Sequence, residues 1–386
     1  MTDHNDTITR EKFMAELWRY KRGSVTRRHF LGVTGLGTAT AVLGAAMPGL
    51  MPRPAWSQAN IGDRVILATW PNYHEPTNFE AFTEATGAAV QVNVFGSNEE
   101  MLAKLQAGGS GWDVFVPTNY TITTYVDEGL IEPIDVSRLP NYDASAFDAR
   151  FASPGTVNDT LYAVSKNWGT TGYAINTAKN GDVTPTTWKE FWDMTMTNFS
   201  GRTMVHDYQL TTIGNALKYF GYSFNSVDAN ELADAEKLLL DAKPHLFAIN
   251  SDYQPSMRSG DAWMTMCWTG DGKQLNTDIP EIKYVLGKEG GELWSDFYAI
   301  PKGAPHMDAA YALIDFLLTP ENNAKEALFH GYPVADARTN ALLPAELLND
   351  PIIYPAADLL SALEFGAAAT LTDPNRAELL ARFKSA

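Results

Sequence analysis

The sequence predicts an α/β protein of two lobes, each a mixed, mostly parallel sheet flanked by helices, with a ligand cleft between the lobes. Three observations predict it. After Asn60, apolar runs of strand length alternate with helical stretches as strand–helix–strand–helix–strand, which pairs parallel strands through right-handed crossovers. A second unit of the same kind follows a Gly- and Thr-rich run at Trp168–Asn176. Aromatic and acidic residues fall just past the apolar runs in both units, and open sheets of this kind bind ligands at the carboxyl ends of their strands. A chain of 386 residues is long enough for two packed cores.

In chain order, Val65–Trp70 reads as a short apolar strand that ends at the turn Pro71-Asn72-Tyr73. The spacing of Phe79, Phe82 and Thr86 predicts a helix capped by Gly87. Val90–Phe95 is a second strand. Ser97, with Glu100 three residues on, forms a capping box that opens a helix through Met101 and Leu105, stopped at Gly108-Gly109. Asp113–Pro117 is a third, buried strand, with Thr118-Asn119-Tyr120 at the junction to the next helix. Trp168–Asn176 is expected to cross between the lobes. Beyond it the pattern predicts a helix at Trp188–Met196, a strand at Gly201–Val205, helices at Thr212–Phe220 and Ala229–Leu240, and strands at Trp263–Trp268 and Tyr284–Leu286. Lys288–Pro301 then returns toward the first lobe. An amphipathic helix at Ala309–Leu318 ends before Pro320, and Pro344–Ala386 reads as further helices.

Residues 1–59 read as a leader rather than as part of the fold. Thr26-Arg27-Arg28-His29-Phe30-Leu31-Gly32 is a twin-arginine pattern, followed by a mild apolar run from Val33 to Met51 that Pro48 interrupts. Ser57-Gln58-Ala59 supplies small residues for cleavage before Asn60. The expectation is export to the periplasm through the twin-arginine pathway. The formal charge of the whole chain is −17, and the leader holds eight Lys/Arg against four Asp/Glu, so its removal leaves −21. Such acidity argues against nucleic-acid and anionic-lipid partners and suits a cationic ligand. No segment after Asn60 is long and apolar enough to span a bilayer.

The chemistry-bearing residues point to binding rather than catalysis. The seven His show no metal-ligand spacing, no P-loop is present, and no ordered Ser-His-Asp or Cys-His set is visible, so no metal, cofactor or catalytic residue is expected. The lone Cys267 has no partner for an internal disulfide; set beside Met266 in an apolar strand, it reads as inert. Trp294-Ser295-Asp296 is different. In an extended segment Trp294 and Asp296 project from the same side, so a flat π face stands beside a carboxylate. That pair suits an organic ammonium group, which gains cation–π attraction, apolar packing and an ion pair.

An ordered set of short motifs carries a family resemblance from Ile61 to Ala386: Trp70-Pro71-Asn72-Tyr73, Ser97-Asn98-Glu99, Asp113-Val114-Phe115-Val116-Pro117, Trp168-Gly169-Thr170-Thr171-Gly172, Trp268-Thr269-Gly270-Asp271, Lys288-Glu289-Gly290-Gly291, Trp294-Ser295-Asp296 and His330-Gly331-Tyr332-Pro333. With these, the chain resembles the periplasmic polyamine-binding proteins of ABC importers, the spermidine/putrescine receptor type. The resemblance implies a type II periplasmic-binding-protein-like fold and a receptor, not an enzyme. It implies an aromatic box of Trp70, Tyr73, Trp268 and Trp294 with Tyr120 and Tyr332 at its ends. Thr118 and Ser251 would be hydrogen-bonding wall residues, and Asp296 and Asp271 the amine-binding carboxylates.

Two positions depart from the family pattern. The second-lobe acid falls at Thr211, in His206-Asp207-Tyr208-Gln209-Leu210-Thr211, and a late glutamine falls at Gly366. A buried ammonium without an anion is costly, so the apparent loss of an acid favours a putrescine-like diamine over spermidine. A quaternary ammonium, an agmatine-like cation or another solute on the same fold are the alternatives, and an enzyme built on this scaffold is a more distant one. The expected partners are a small cationic ligand and the permease subunits of an ABC transporter, with the receptor a monomer. The expected division is leader 1–59, first lobe 60–167 with 295–339, and second lobe 168–294 with 340–386.

Overall fold

The computed structural model describes residues 61–386; the twin-arginine pattern and the cleavage position before Asn60 lie outside the described residues. The first unit is strand β1 (Arg64–Thr69), helix α1 (Pro76–Thr86), β2 (Ala89–Val94), α2 (Asn98–Gln106), β3 (Val114–Phe115) and α3 (Asn119–Asp127). β1 pairs in parallel with both β2 and β3, as the alternating pattern requires. Local chemistry sets the helix ends. Gly87 at φ 82° closes α1 by donating to Thr83 O at 2.8 Å. Ser97 accepts from Glu100 N at 3.1 Å, while the Glu100 carboxylate reaches back to Gly96 N at 2.8 Å.

A small hairpin, β4 (Thr156–Val157) and β5 (Thr160–Leu161), leads into β6 (Ala163–Asn176). The expected crossing segment is thus the second half of one continuous strand of 14 residues. The second unit follows: α4 (Trp188–Thr195), β7 (Thr203–Val205), α5 (Gln209–Tyr219), α6 (Ala229–Ala242), β8 (Leu246–Ile249), β9 (Met264–Trp268), α7 (Thr269–Asp278) and β10 (Ile282–Val285). β11 (Gly291–Ala299) then runs antiparallel to β6, and α8 (Met307–Leu317) and α9 (Pro320–His330) come after it. Pro320 occupies the first turn of α9, where its missing N–H costs nothing, so it both ends one helix region and starts the next.

One ten-stranded sheet results, in the order β2-β1-β3-β11-β6-β9-β7-β8, with β10 on β6 and one further strand on β11. Parallel sets stand at both ends, and the antiparallel pair β6/β11 joins them. Trp168 and Trp294 occupy neighbouring register positions on opposite faces of that pair, Trp168 opposite Ser295 and Gly169 opposite Trp294. The further strand corrects the all-helical expectation for the C-terminal region. Leu363–Phe365 forms β12, parallel to β11 with Leu363 opposite Gly291, before the chain ends in α10 (Pro374–Ser385). Three residues are too few for a period-two signal, and the strand exists because β11 presents an edge to it.

Two large cores flank the joint. One gathers Tyr173, Trp188, Phe191, Trp192, Leu239 and Met266, with Leu379 and Phe383 of α10. The other gathers Phe95, Trp112, Phe115, Tyr125 and Phe297, and also takes in Leu210 and Phe224 from the second unit. The second core thus packs the two units together along this edge.

Candidate functional site

Three helix starts deliver side chains to the same place. Thr118 is the N-cap of α3, Tyr208 that of α5 and Trp268 that of α7, and none of them makes the usual side-chain capping bond. Their side chains are free to act elsewhere because the backbone turn at a strand end already sets their direction. Trp70 holds the corresponding position just past β1.

The centre of the site is one face of β11. Every residue of this strand is buried, and Glu292, Trp294 and Asp296 share a side by the period-two alternation. The indole of Trp294 needs Gly169 across from it, since a Cβ there would fall 2.4 Å from the ring. Asp296 is 5 % exposed. Its Oδ2 accepts from the Tyr73 hydroxyl at 2.6 Å and its Oδ1 from Thr118 Oγ1 at 2.7 Å. Asn98 holds both Thr118 Oγ1 and the Tyr120 hydroxyl through one amide nitrogen, at 3.1 and 3.0 Å. Tyr332 stands edge-on to Trp294 and to Tyr73, with ring centroids 5.1 and 5.8 Å apart. Burial pushes the Asp296 carboxyl up to about 6, against the opposing pull of the Tyr73 and Thr118 hydroxyls and of Lys166.

The second unit supplies the opposite side. Trp268 packs on His206 at 4.7 Å and donates from Nε1 to the Tyr208 hydroxyl at 3.2 Å. Asp271 lies in the first turn of α7, where the helix dipole favours a carboxylate. Burial nonetheless raises it to about 6, although Tyr253 and Gln254 hydrogen-bond to it. Its charge is felt at Tyr332, whose hydroxyl is raised first by burial and then by Asp271. Ser251 is tied to Asp207, donating to Oδ1 at 2.6 Å. Trp70 is anchored by its indole N–H to Val116 O at 3.0 Å, and its ring neighbour is Phe95 at 4.6 Å. The structure thus brings Tyr73, Thr118, Trp294, Asp296 and Tyr332 into direct contact, with Tyr120 one hydrogen bond away. It sets Trp268 and Asp271 across from them and leaves Trp70 and Ser251 held by other partners.

Three charged residues escaped the sequence reading. The first corrects it: the position beside Thr211 does not lack a carboxylate. Glu292, 3 % exposed, places Oε2 2.8 Å from Thr211 Oγ1, which itself stands 2.7 Å from the Tyr208 hydroxyl. Burial raises Glu292 to about 7, and the charge of Asp296 adds to this. The signal was available, because Glu292 is in phase with Trp294 and Asp296. The second is Glu99, whose carboxyl oxygens are screened from solvent and whose charge acts on Tyr120 and Tyr208. The third is Lys166, the extra residue of a bulge where Asp296 faces Asn167 but Phe297 faces Ser165. Its Nζ lies 4.0 Å from the Tyr73 ring centroid and 3.7 Å from Glu326 Oε2. A bulge leaves no sequence pattern to read. Gly366 also has a structural account: a Cβ there would fall 2.8 Å from Leu210 and 3.2 Å from Tyr120, so the space that a longer side chain would need is filled.

Among the described residues no group of three His, Cys, Asp or Glu side chains is placed to hold a metal ion, and no helix is long and apolar enough to cross a membrane. Cys267 is fully buried, with its thiol pushed well above the usual range by burial.

The fold and the cleft define a two-lobe ligand-binding protein of the periplasmic-binding type. Residues 78–355 match the family described as bacterial extracellular solute-binding protein, and the chain belongs to that family of binding proteins rather than to an enzyme family. It is 31% identical over 307 residues to the spermidine/putrescine-binding periplasmic protein of Escherichia coli, covering 79% of this chain and 86% of that one. It is 30% identical over 324 residues to the putrescine-binding periplasmic protein SpuD of Pseudomonas aeruginosa, covering 79% and 88%. A solved structure described as a putative spermidine/putrescine ABC transporter from Listeria monocytogenes aligns with a TM-score of 0.77 at 30% identity, over 84% of this chain and 99% of that chain.

Proposed function

We propose that this chain is the periplasmic receptor of an ABC transporter for linear polyamines, binding them between its lobes and delivering them to the permease. One observation carries the reading: a buried carboxylate, Asp296, stands among Tyr73, Trp294 and Tyr332, a setting that suits an alkyl ammonium group. The relatives' polyamine ligands support the same chemistry. Trp70, Tyr120, Trp268, Asp271, Thr118 and Ser251 complete the proposed lining. The division into 60–167 with 295–339 and 168–294 with 340–386 is supported by the adjacency of Trp168 and Trp294 in the joining strands. Closure about that joint is the signal the permease reads. The mature part is exported through the twin-arginine pathway and acts as a monomer.

A diamine such as putrescine satisfies Asp296 and one further acid. The preference for it over spermidine rested on the empty position at Thr211, and Glu292 supplies a carboxylate there. The test is a thermal-shift and calorimetric screen with putrescine, cadaverine, agmatine, spermidine and betaine. A one-site ligand at a hundred times its Kd stabilises by about 2.7 kcal/mol. Stabilisation by none of the amines rejects the reading, and stabilisation by betaine alone replaces it with a quaternary-ammonium receptor.

A further inference from the structure

We propose that Glu292 is a second cation-binding carboxylate of the cleft, and that Glu292, Trp294 and Asp296 form a ruler along β11 for the separation of two ammonium groups. The inference deepens the polyamine reading and rests on it.

The geometry comes from the strand. Residues 292, 294 and 296 lie on one side of β11, with an indole between two acids. A strand advances about 3.3 Å per residue, so four residues set the two acid-bearing positions about 13 Å apart. The strand is held on both flanks, by β6 along its length and by β3 and β12 at its ends, so that separation is fixed by the sheet rather than by a loop. Trp294 covers the interval between the acids with an apolar face suited to methylene groups.

Both carboxylates are oriented by hydroxyl groups. Glu292 and Asp296 are buried, yet no Lys, Arg or His side chain lies within ion-pair distance of either among the described residues. Each is instead held by hydroxyls: Glu292 by Thr211, with Tyr208 behind it, and Asp296 by Tyr73 and Thr118. Hydroxyl donors orient a carboxylate without neutralising it, and Lys166, whose charge reaches Asp296, is itself paired with Glu326 at 3.7 Å, so two buried carboxylates here carry less than one full counter-charge. An ammonium group from outside supplies the remainder. The Glu292 carboxylate approaches the second unit at Thr211 of α5 while Asp296 meets Tyr73 and Thr118 of the first, so one linear dication would tie both lobes together.

The ruler selects by length. An extended alkyl amine gains about 1.25 Å of reach per bond. A four-carbon diamine therefore separates its nitrogens by about 6 Å, and a chain of nine bonds by about 11 Å. With each nitrogen a hydrogen-bond length of about 2.8 Å from its carboxylate, the four-carbon diamine spans about 12 Å and the nine-bond chain about 17 Å, so the shorter one engages Asp296 and Glu292 at once and the longer one must bow out of the interval.

Calorimetric titration of the parent, Glu292→Gln and Glu292→Asp with α,ω-diaminoalkanes of about four to ten carbons, and with spermidine, tests this. In the parent, affinity is expected to peak at diamines of about four to five carbons and to fall at least about tenfold toward the longest chains, one charged contact being worth about that much. Glu292→Gln keeps the shape and the hydrogen bonds but loses the charge, and flattens this profile to within about threefold. Glu292→Asp restores the charge one methylene further back, so a preferred length returns, displaced toward longer chains. Thermal melts confirm that each variant folds. A parent that binds the longest diamines best, or a Gln variant with an unchanged length profile, overturns the ruler while leaving the polyamine receptor intact. A parent that binds no amine overturns both.

Discussion

Lowering pH should weaken amine binding through the same two acids, and the size of the effect follows from their settings. Burial holds Asp296 at about 6 and Glu292 at about 7 in the unliganded protein. A bound ammonium favours the ionised forms and drives both well below these values. The sign is then fixed: protons must leave for the amine to enter, so affinity falls as pH falls through this range. Between about pH 7.5 and about pH 5.5, Glu292 contributes about 25-fold and Asp296 about fourfold, a product of about a hundredfold. Other groups face these acids. Asp296 faces Tyr73, Thr118, Asn167 and Lys166, and His330 lies 5.6 Å from Tyr73; Glu292 faces Thr171, Thr211, Tyr208 and Tyr120. His206 is pushed down to about 3 by burial and stays neutral across the window, and Lys166, lowered to about 8, stays charged. Spermidine or putrescine titrations in two buffers of different ionisation enthalpy measure both the affinity and the protons released. Glu292→Gln should cut the pH effect to the roughly fourfold share of Asp296. A flat affinity in the parent, or a Gln variant that keeps the full hundredfold, would refute the assignment.

Other outcomes can be stated briefly. Asp296→Ala should weaken every amine by about 1.5–3 kcal/mol or more, read by calorimetry, since it removes a charged contact and leaves the Thr118 hydroxyl without its acceptor, while Tyr73 keeps Asn167 Oδ1. Trp294→Ala should cost about 1–2 kcal/mol of binding by loss of the cation–π and apolar face. Gly169→Ala should push the Trp294 indole off β6, destabilising the fold by about 1–3 kcal/mol in thermal melts and weakening binding together with it. Cys267 should resist a thiol reagent in the native state and react on denaturation, as mass spectrometry would show.

The sequence was legible where local rules govern. The parallel β1–α1–β2–α2–β3 unit followed from alternating apolar runs and caps such as Gly87 and Ser97. The places of Tyr73 and Thr118 past strand ends and of Trp294 and Asp296 on one strand face were legible in the pattern, whereas Tyr332, which follows α9, came only from the family resemblance. Legibility failed where a position is defined only by the partner strand or helix. β12 needs the edge of β11, and Lys166 enters the site because a bulge in β6 adds one residue opposite Asp296 and Phe297. Glu292 was a failure of a different kind. Its phase with Trp294 was visible, but the search for an acid was confined to the loop before α5, where the family pattern puts one.

An ammonium group needs negative charge at a point in space, and the protein can bring it there from any element that borders the point. A carboxylate at the start of α5 would sit beside the positive end of a helix, which stabilises it whether or not a ligand is bound. Glu292 reaches the same region from the central strand, where burial raises its pKa and only Thr171 and Thr211 oppose that rise. The first arrangement titrates lower, as Asp271 at the start of α7 does at about 6. The second gives an acid at about 7, whose charge is completed by the ligand, so binding is coupled to proton release near neutral pH. Moving the acid from Thr211 to Glu292 therefore keeps the electrostatic requirement for a second ammonium and shifts its pH dependence upward, toward neutrality.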